Sequence, residues 1–359
     1  MSLPPGVSQR DIANQLGIAV STVSRALSGN PRVSRLTRDA VQRAVRELAA
    51  RNDASGKGSL PLMIGLTHSH SYHGLKDHDR ESVLEQVLGG AEVACRRENA
   101  VPYPWQQSHL LASEDAEPFF ERVSAVIMSG GEIDDEVISA IQRHGKPIVL
   151  IGGHLPDAPI PSVASDNVNG MYLATRHLLE LGHRHIALVN GPNTTYTSRE
   201  KKAGYLTALA DAGVAHRPDL LVARDDRTGF SDATAEELTR SVLTQPERPS
   251  ALLFATDTMA RAGYRVCREL GLEIPGDVSV VGFHGDHAPY SDPPMTSVQV
   301  NRFDWGVVAV EMLMRALSGQ EDRASRLLLP VKLEVRGSTA PPDDSAFSIQ
   351  ASEGVSSGG

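Results

Sequence analysis

The side chains near the start of the chain that are best suited to bind another molecule lie between Val20 and Arg25. Arginine presents a planar fork of donors that matches the O6 and N7 acceptors of guanine, so Arg25 could contact a base edge. Ser21 offers a hydroxyl and Val20 a methyl surface to neighbouring bases. Thr22 and Ser24 could donate hydrogen bonds to phosphate oxygens. Together these residue types could recognise double-stranded DNA, provided that one short helix presents them.

Two short helices joined by a tight turn are predicted around these side chains. Ser8 and Asp11 have the spacing of a capping box, so a first helix should run from about Gln9 to Leu16. Gly17 then suits a turn that needs a positive φ. The second helix begins near Val20 and carries the side chains described above. This arrangement is a helix-turn-helix, whose second helix enters the major groove in DNA-binding proteins.

A third helix completes the predicted headpiece. Ser34 is a suitable N-cap, and the apolar pattern continues to about Ala50. The predicted core consists of Ile12, Ala13, Leu16, Val23, Ala26, Leu27, Val41, Ala44, Val45 and Leu48. The alternative is a helical bundle whose exposed residues contact another protein.

Charge is distributed unevenly along the 359 residues. The chain has a net charge of −9, yet residues 1–60 hold nine Lys and Arg against four Asp and Glu, a balance of +5 that leaves −14 for the remainder. A basic segment attracts phosphates locally, and an acidic body discourages indiscriminate binding. A basic stretch alone is more often a solvated face, so charge supports the prediction of DNA binding without establishing it.

Composition excludes several classes of protein. Hydrophobic residues make up 40% and charged residues 22% of the chain, as in globular proteins, and the length suits two or three domains. No apolar run reaches the roughly 18 residues of a membrane span, and the first residues lack the apolar core of a secretory signal. Cys95 and Cys267 are the only cysteines. We therefore expect a soluble cytoplasmic protein without a disulfide framework.

After Leu60, short apolar runs alternate with helical stretches in two series. The runs are LMIGLT, AVIMSG and PIVLIGG in the first series, and IALVNG, LLFATD and VSVVGF in the second. Strands alternating with helices indicate parallel sheets covered on both faces, so the fold class is α/β with two doubly wound lobes. The predicted helices lie at about 85–98, 134–144, 170–181, 199–212 and 259–270. The predicted crossings between the lobes lie at 162–166, 290–296 and 327–330.

From Val7 through Pro341 the chain resembles the LacI/GalR family of bacterial transcriptional regulators. The headpiece run DIANQLGIAVSTVSRALSGNPRVSRLTRDAVQRAVREL resembles the family signature closely. Further matching blocks, in the same order, are NGMYLATRHLLELGHRHIALVNGP, TSREKKAGY, ALLFATDTMARAGYRVCRELGLEIPGDVSVVGF and PPMTSVQV. The resemblance implies a two-lobed, periplasmic-binding-protein-like body and a homodimer on pseudo-palindromic operator DNA. It also implies a small-molecule effector, expected to be a carbohydrate, that changes the operator affinity of a repressor.

Two features depart from the family pattern. Ala19 occupies a position where a capping Ser is common in relatives, which should modestly weaken the start of the second helix. The other is the segment after the third helix. Relatives follow the third helix with a short hinge helix whose leucine inserts into the minor groove and kinks the DNA. Here the segment reads RNDASGKGSLPL, with Gly56 and Gly58 and no clear leucine between Asp53 and Gly58. The sequence therefore predicts a hinge that folds less readily than in the relatives.

The cleft between the lobes is the expected effector site, because doubly wound lobes bind ligands at the carboxyl ends of their strands. The resemblance implies that Arg199 holds a sugar hydroxyl or carboxylate and that Phe230 stacks on the ligand. The loop GFHGDHAPY places His284 where relatives have an acid, which favours a ligand other than a plain neutral sugar. Each candidate could instead be a loop cap, a surface residue or part of the core. The expected effector-binding residues are Ser69, Tyr72, His73, Asp166, Arg199, Phe230, Asp257, His284 and Asp286.

Two other classes of protein remain open at this point. A solute-binding protein for sugar uptake shares the two-lobed body, but the basic headpiece and the lack of a secretory signal count against it. An α/β enzyme acting on a sugar or nucleotide is disfavoured, because the chain has no GxGxxG turn, no GKS/T loop and no paired acid and base at a recognisable spacing. The histidines between 68 and 78 lack the spacing of a metal site. The sequence predicts no catalytic residue, no cofactor and no metal.

The predicted organisation has four parts. A headpiece spans 1–51, a linker 52–60, an effector-binding and dimerisation body 61–340, and a tail 341–359 that lacks periodicity and is predicted to be disordered. Within the body, one lobe should comprise about 61–164 and 294–327, and the other 165–293 and 328–340.

Overall fold

The computed structural model describes most of the chain, as two units comprising residues 1–62 and 63–359. The described residues are 8–28, 30, 33–34, 37–38, 40–45, 48, 61–68, 77–105, 113–129, 135–155, 158, 160–225, 229–320 and 325–342. The predicted linker at 52–60 and the tail from 343 onward lie outside these residues, so the expectations for the hinge and the tail stay predictions.

The first unit contains the predicted helix-turn-helix. Helix α1 spans Gln9–Leu16 and α2 spans Val20–Leu27, with Gly17 at a φ of 63° between them. Residues 37–38, 40–45 and 48 are also helical. All ten predicted core residues belong to one cluster, which Ile18 and Val33 join. The prediction of a three-helix headpiece core is therefore confirmed for the described residues.

The first six-stranded sheet of the body has the order β11-β5-β4-β3-β1-β2. Its strands are β1 Leu62–His68, β2 Ala100–Trp105, β3 Ala125–Ser129, β4 Ile148–Ile151, β5 Ser162–Ser165 and β11 Arg326–Leu329. The helices of this first lobe are α3 Asp77–Arg97, α4 Glu117–Arg122, α5 Asp135–Arg143 and α10 Arg302–Leu317. Strands β3, β4 and β5 are buried along their whole length, as expected when both faces of a parallel sheet are covered.

The second sheet has the order β12-β10-β9-β8-β6-β7; among the described residues β12 pairs antiparallel with β10, and the other pairings are parallel. Its strands are β6 Ile186–Val189, β7 Leu221–Val222, β8 Ala251–Phe254, β9 Ser279–His284, β10 Thr296–Gln299 and β12 Lys332–Glu334. The helices of this second lobe are α6 Asn167–Glu180, α7 Tyr196–Asp211, α8 Asp232–Leu243 and α9 Asp257–Glu269. The predicted α/β class with two doubly wound lobes is confirmed.

The chain passes between the two sheets three times. It leaves the first lobe after β5 through Asp166, returns through residues 300–301 between β10 and α10, and leaves again through residues 330–331 between β11 and β12. Each connection is only one or two residues long. Short connections of this kind allow hinge motion between packed lobes.

The predicted second crossing, at 290–296, is wrong. Thr296–Gln299 forms β10 and pairs in parallel with β9, so these residues belong to the second lobe. The returning first-lobe segment accordingly begins with α10 rather than at 294, and it ends with β11 at Leu329 rather than at 327. Which sheet a four-residue strand joins depends on partners distant in sequence, and local patterning does not specify them.

Several elements were not predicted from the sequence. Helix α3 begins at Asp77 rather than near residue 85. The helices α8 and α10 have good caps, because Ser231 accepts from the Thr234 amide and Asn301 from the Asp304 amide. The strands missed altogether are β2, β5, β7, β10, β11 and β12, and the missed helices are α4, α8 and α10.

Helices α3 and α10 approach each other more closely than side chains allow. A Cβ on Gly90 would lie 1.9 Å from the carbonyl oxygen of Phe303, and one on Gly306 would lie 2.0 Å from that of Val87. Both obstructing atoms belong to the backbone, so no rotamer change could relieve the overlap. Glycine is therefore required at both positions.

Gly90→Ala should lower the free energy of unfolding of the body by about 1–3 kcal/mol, since the two helices must move apart. The adjacent Gly89 provides a matched control, because its Cβ would meet only the Phe303 ring at 3.7 Å. Gly89→Ala should be neutral or stabilising by up to about 1 kcal/mol, through better helix propensity. Urea denaturation followed by circular dichroism measures both variants. Equal midpoints for the two would contradict the close backbone contact.

Candidate DNA-reading helix and effector cleft

Helix α2 presents the predicted DNA-contacting residues away from the headpiece core. Val20, Ser21, Ser24 and Arg25 are exposed and Thr22 is half-buried, whereas Val23 and Ala26 are buried. The core thus fixes the helix by one face and leaves the other free to meet a partner. An exposed valine at the start of this face suits contact with a thymine methyl group.

Helices α1 and α2 differ in their N-terminal capping. The Ser8 hydroxyl accepts from the Asp11 amide at 3.2 Å, and the Asp11 carboxylate accepts from the Ser8 amide at 3.0 Å. The Ser8 hydroxyl also donates to the Asp11 carboxylate at 2.6 Å, and this hydrogen bond, followed by that from the Ser8 amide, lowers the pKa of Asp11. Ala19 provides no side-chain cap for α2, so the capping box at α1 and the uncapped start of α2 both agree with the sequence.

Arg25 lies back along its own helix. Its Nε donates to the carbonyl oxygen of Ser21 at 3.1 Å, and its terminal nitrogen donates to the Ser21 hydroxyl at 3.3 Å. Both contacts are exposed to solvent, so they contribute little and can be exchanged for other acceptors. Arg25 is therefore free to extend towards a base edge.

Polar side chains gather at the carboxyl ends of β8 and β9. Asp257 is buried at the start of α9, where its carboxylate accepts from the Ser297 hydroxyl at 2.7 Å and from the His287 amide at 3.3 Å. Burial raises the pKa of Asp257 to about 6, against the opposing effect of these hydrogen bonds. The carboxylate is therefore ionised at neutral pH and protonated in mild acid.

His284 ends β9 and lies beside Lys201, which was not among the predicted effector-binding residues. Its φ of 104° is unusual for a residue with a side chain. The Nζ of Lys201, on α7, lies 3.4 Å from Nε2 of His284 and donates to the Ala255 carbonyl oxygen at 2.7 Å. Burial, reinforced by nearby cations, holds the pKa of His284 well below its usual value. The imidazole is therefore neutral and can accept from the ammonium.

Asp286 joins the two lobes. Both of its carboxylate oxygens accept from one terminal nitrogen of Arg302, at 2.6 and 2.7 Å, and Gln86 donates to it at 3.4 Å. Arg302 and Gln86 belong to the first lobe, and Asp286 to the second. The Arg302 side chain is 3% exposed and that of Asp286 22%, so this ion pair is largely shielded from water.

A second polar contact between the lobes lies at the start of α7. Arg326 on β11 forms an ion pair with Glu200 and donates to the Tyr196 hydroxyl at 2.5 Å. Asn167 donates to the other oxygen of Glu200 at 2.9 Å. His154 of the first lobe packs edge-on against the Tyr196 ring. The two lobes are thus held together by charged contacts at two places.

The first lobe contributes buried polar atoms that have no hydrogen-bond partner among the described residues. They are the hydroxyls of Thr67, Ser129 and Ser165 and the indole nitrogen of Trp305. The three hydroxyls lie at or next to the carboxyl ends of β1, β3 and β5, and the Trp305 ring lies against Gly152, directly after β4. An unpaired buried polar group costs about 1–3 kcal/mol, so each is suited to meet a bound molecule.

Models of two known protein families match separate parts of the chain. The model of bacterial regulatory proteins of the lacI family matches residues 9–49, and that of the periplasmic binding protein-like domain matches residues 175–339. An uncharacterized HTH-type transcriptional regulator in the aml 5' region of Streptomyces limosus is 30% identical over 340 residues, covering 92% of this chain and 93% of the relative. The chain belongs to the lacI family.

Solved structures of lacI-family regulators resemble this one in fold. The transcriptional regulator CelR in complex with cellobiose is 27% identical and covers 92% of this chain and 99% of its own, with a TM-score of 0.68. The lac repressor dimer bound to operator and the anti-inducer ONPF is 25% identical, covers 93% and 99%, and has a TM-score of 0.65. The predicted family and function are confirmed: this lacI-family protein is a DNA-binding transcriptional regulator.

The predicted effector residues of this lacI-family protein fall into separate groups. Asp257, His284 and Asp286 come together at the ends of β8 and β9. Phe230 lies apart from them, packed on the second-lobe core where its ring occupies the space of a Cβ on Gly191. Ser69, Tyr72 and His73 lie outside the described residues.

Two predicted residues are engaged locally instead. Asp166 caps α6 by accepting from the Asn169 amide at 3.0 Å. Arg199 is exposed and donates to the carbonyl oxygens of Asn193 and Thr194 at 3.1 and 2.9 Å. Neither side chain joins the cluster at the ends of β8 and β9.

Lys201 was missed although the sequence carried a signal for it. Residues three or four apart share a helix face, and Lys201 is followed at those spacings by Gly204, Tyr205 and Ala208, all of which are buried. Arg199, two residues earlier, points away from that face. The periodicity of α7 thus distinguishes the buried cation from the exposed one.

Two further features are absent from the described residues. No group of three or more His, Cys, Asp or Glu side chains there could hold a metal ion, although the side chains of the histidines at 68, 70, 73 and 78 are not among those described. Within the same residues, no helix has the length and apolar character needed to cross a membrane. Cys95 and Cys267 are free and buried, and burial raises their thiol pKa values to about 11 and 12.

Proposed function

We propose that this protein is a repressor whose operator affinity changes when a carbohydrate binds between its two lobes. It acts in the cytoplasm, where the DNA is, as a homodimer and without catalytic activity. The lac repressor dimer on its operator and the CelR complex with cellobiose support this assignment. A solute-binding protein for uptake would share the lobes, but it would have no use for the helix-turn-helix of residues 8–28.

The observation that carries the effector proposal is the set of unpaired polar atoms at the carboxyl ends of the first sheet. Ligands of doubly wound sheets bind at this edge. A carbohydrate presents hydroxyls that both donate and accept, and so could satisfy the hydroxyls of Ser129 and Ser165 and the indole N–H of Trp305 together. Ser129 and Ser165 lie on the same face of the sheet by register, since Ser129 pairs with Ile151, and Ile151 with Val163.

The second lobe supplies the opposite wall of the cleft. We assign Asp257, His284 and Asp286 to it, with Lys201 beneath His284 and Phe230 beside β6 as an apolar surface for the sugar ring. Arg199 lies outside this wall, because its guanidinium is exposed and bonded to its own loop. Closure of the lobes on the ligand would change the spacing of the paired headpieces, which couples effector and operator binding.

The test uses the full-length protein and an operator obtained by binding-site selection. A sugar that binds the cleft should change operator affinity, measured by fluorescence anisotropy at fixed salt, by about 5- to 150-fold. The double variant Ser129→Ala/Ser165→Ala should lose most of this response and keep operator binding, because removing an unpaired hydroxyl does not destabilise the fold.

Ser241→Ala serves as a matched control, since that hydroxyl is exposed and bonds only within α8, to the Leu238 carbonyl oxygen. It should respond to the sugar as the unmodified protein does. If no mono- or disaccharide changes operator affinity, or if the double variant responds fully, the carbohydrate assignment fails.

A further inference from the structure

Lys201 places a buried ammonium group in the cleft, and no carboxylate among the described residues contacts it. The residue is 2% exposed. Its Nζ donates to the Ala255 carbonyl oxygen at 2.7 Å, lies 3.4 Å from Nε2 of His284 and stands 4.2 Å from the centre of the Phe283 ring. All three partners are neutral. An isolated buried charge is costly unless a counter-ion accompanies it.

In the part of the chain that the structure describes, the charged groups around Lys201 do not supply that counter-ion. Glu200 is engaged by Arg326 and Asn167, and Asp257 by the Ser297 hydroxyl and the His287 amide. Both carboxylates favour the charged lysine from a distance. The positive charge of Arg302, in the first lobe, disfavours the charged form of Lys201, and Arg302 is itself paired with Asp286. Burial, followed by the effect of Arg302, therefore lowers the pKa of Lys201 to about 7.

A purely structural role explains this arrangement poorly. A hydrogen bond to the Ala255 carbonyl could come from a neutral donor, without the cost of burying an ammonium. The position of the ammonium is informative, because Ala255 follows β8 and His284 ends β9, and ligands bind at this edge of a parallel sheet.

We propose that the effector carries one anionic group, a carboxylate or a phosphate, which Lys201 binds at the carboxyl ends of β8 and β9. The proposal rests on the proposed effector function of the cleft and specifies the ligand class, an acidic carbohydrate. Its anionic end lies against the second lobe, and its hydroxyls meet the unpaired polar atoms of the first.

Binding of such a ligand would take up a proton above neutral pH. In the free protein Lys201 is largely neutral at pH 8, and an adjacent anion favours its charged form. The sign follows from linkage: a group whose pKa rises on binding gains a proton only at pH values between its free and bound pKa. We therefore expect proton uptake by Lys201 at pH 8 and less at pH 6, where Lys201 is already largely charged in the free protein. Asp257, whose pKa is raised to about 6, also titrates near pH 6, so the contribution of Lys201 is the uptake at pH 8 that Lys201→Met loses.

The experiment compares the unmodified protein with Lys201→Met and Lys201→Arg by calorimetry. The ligands are glucose, glucuronate and glucose 6-phosphate, with acetate and inorganic phosphate as fragments, each titrated at pH 6 and 8 in buffers of different ionisation enthalpy. The carboxylate and phosphate members separate the two sources of negative charge. At least one anion should bind with proton uptake at pH 8 and bind Lys201→Met at least about 30-fold more weakly.

Lys201→Arg distinguishes charge from proton transfer. Arginine stays protonated, so this variant should keep anion binding at pH 6 and show no proton uptake at pH 8. Lys201→Met should fold at least as well as the unmodified protein, because it removes a buried charge, and its melting temperature confirms this.

The proposal is overturned if no carboxylate or phosphate distinguishes the unmodified protein from Lys201→Met. It is also overturned if glucose binds as tightly as its anionic derivatives and without proton uptake. Operator release by a neutral sugar would then still support the proposed function, whereas loss of any sugar response would remove both.

Discussion

Replacing Arg25 by alanine should cause the largest loss of operator affinity of any single change on α2. A bidentate contact from arginine to guanine discriminates between bases by about 1–3 kcal/mol. A homodimer places one Arg25 in each half-site, so the expected loss is about 2–6 kcal/mol in total. Among the described residues, the Arg25 side chain forms hydrogen bonds only with Ser21 on its own helix, and both are exposed, so the substitution should leave the fold intact.

Specificity separates this role from simple phosphate binding. Binding-site selection with Arg25→Ala should show relaxed preference at one position in each half-site. Ser24→Ala is the matched control, because loss of a phosphate contact weakens binding to all sequences alike. Effector binding should be unchanged in both variants. Undiminished selectivity in Arg25→Ala would show that this arginine does not contact a base.

Asp286→Ala should lower the stability of the body by about 3–5 kcal/mol, the second large effect. The substitution leaves the guanidinium of Arg302 buried, at 3% exposure, without its carboxylate partner. The reverse change should be milder. In Arg302→Met the remaining Asp286 is 22% exposed, so water can solvate it.

A double-mutant cycle tests this asymmetry by urea denaturation. Asp286→Ala/Arg302→Met removes both charges and should recover most of the stability that Asp286→Ala loses, because no buried charge is left unpaired. Additive losses in the double variant would show that the ion pair does not stabilise the contact between the lobes. Equal losses in the two single variants would contradict the predicted asymmetry.

Local patterns in the sequence predicted the headpiece almost completely. Its helices are short and adjacent, and the capping box at Ser8, the turn at Gly17 and the spacing of the apolar residues all act within a few residues. The alternation of strands and helices likewise predicted the fold class of the body. The sheet joined by Thr296–Gln299 was mispredicted, because strand pairing across a long connection leaves little trace in the strand itself.

The effector cleft was predicted less well, for a related reason. Strand ends identified Asp257, His284 and Asp286, since chain position alone places such residues at one edge of a sheet. Arg302 and Trp305 lie on a helix that returns from the second lobe, and nothing near them in sequence indicates a cleft. The hydroxyls of Ser129 and Ser165 became informative only once their lack of partners was visible in three dimensions.

The close packing of α3 against α10 determines how a structural change in the cleft could reach the rest of the first lobe. The backbones of the two helices are in contact at Gly90 and Gly306, so the helices cannot slide past each other and should move as one rigid unit. Gln86 lies on one helix and Arg302 on the other, and both hold the single carboxylate of Asp286. A displacement of that carboxylate should therefore move both helices together.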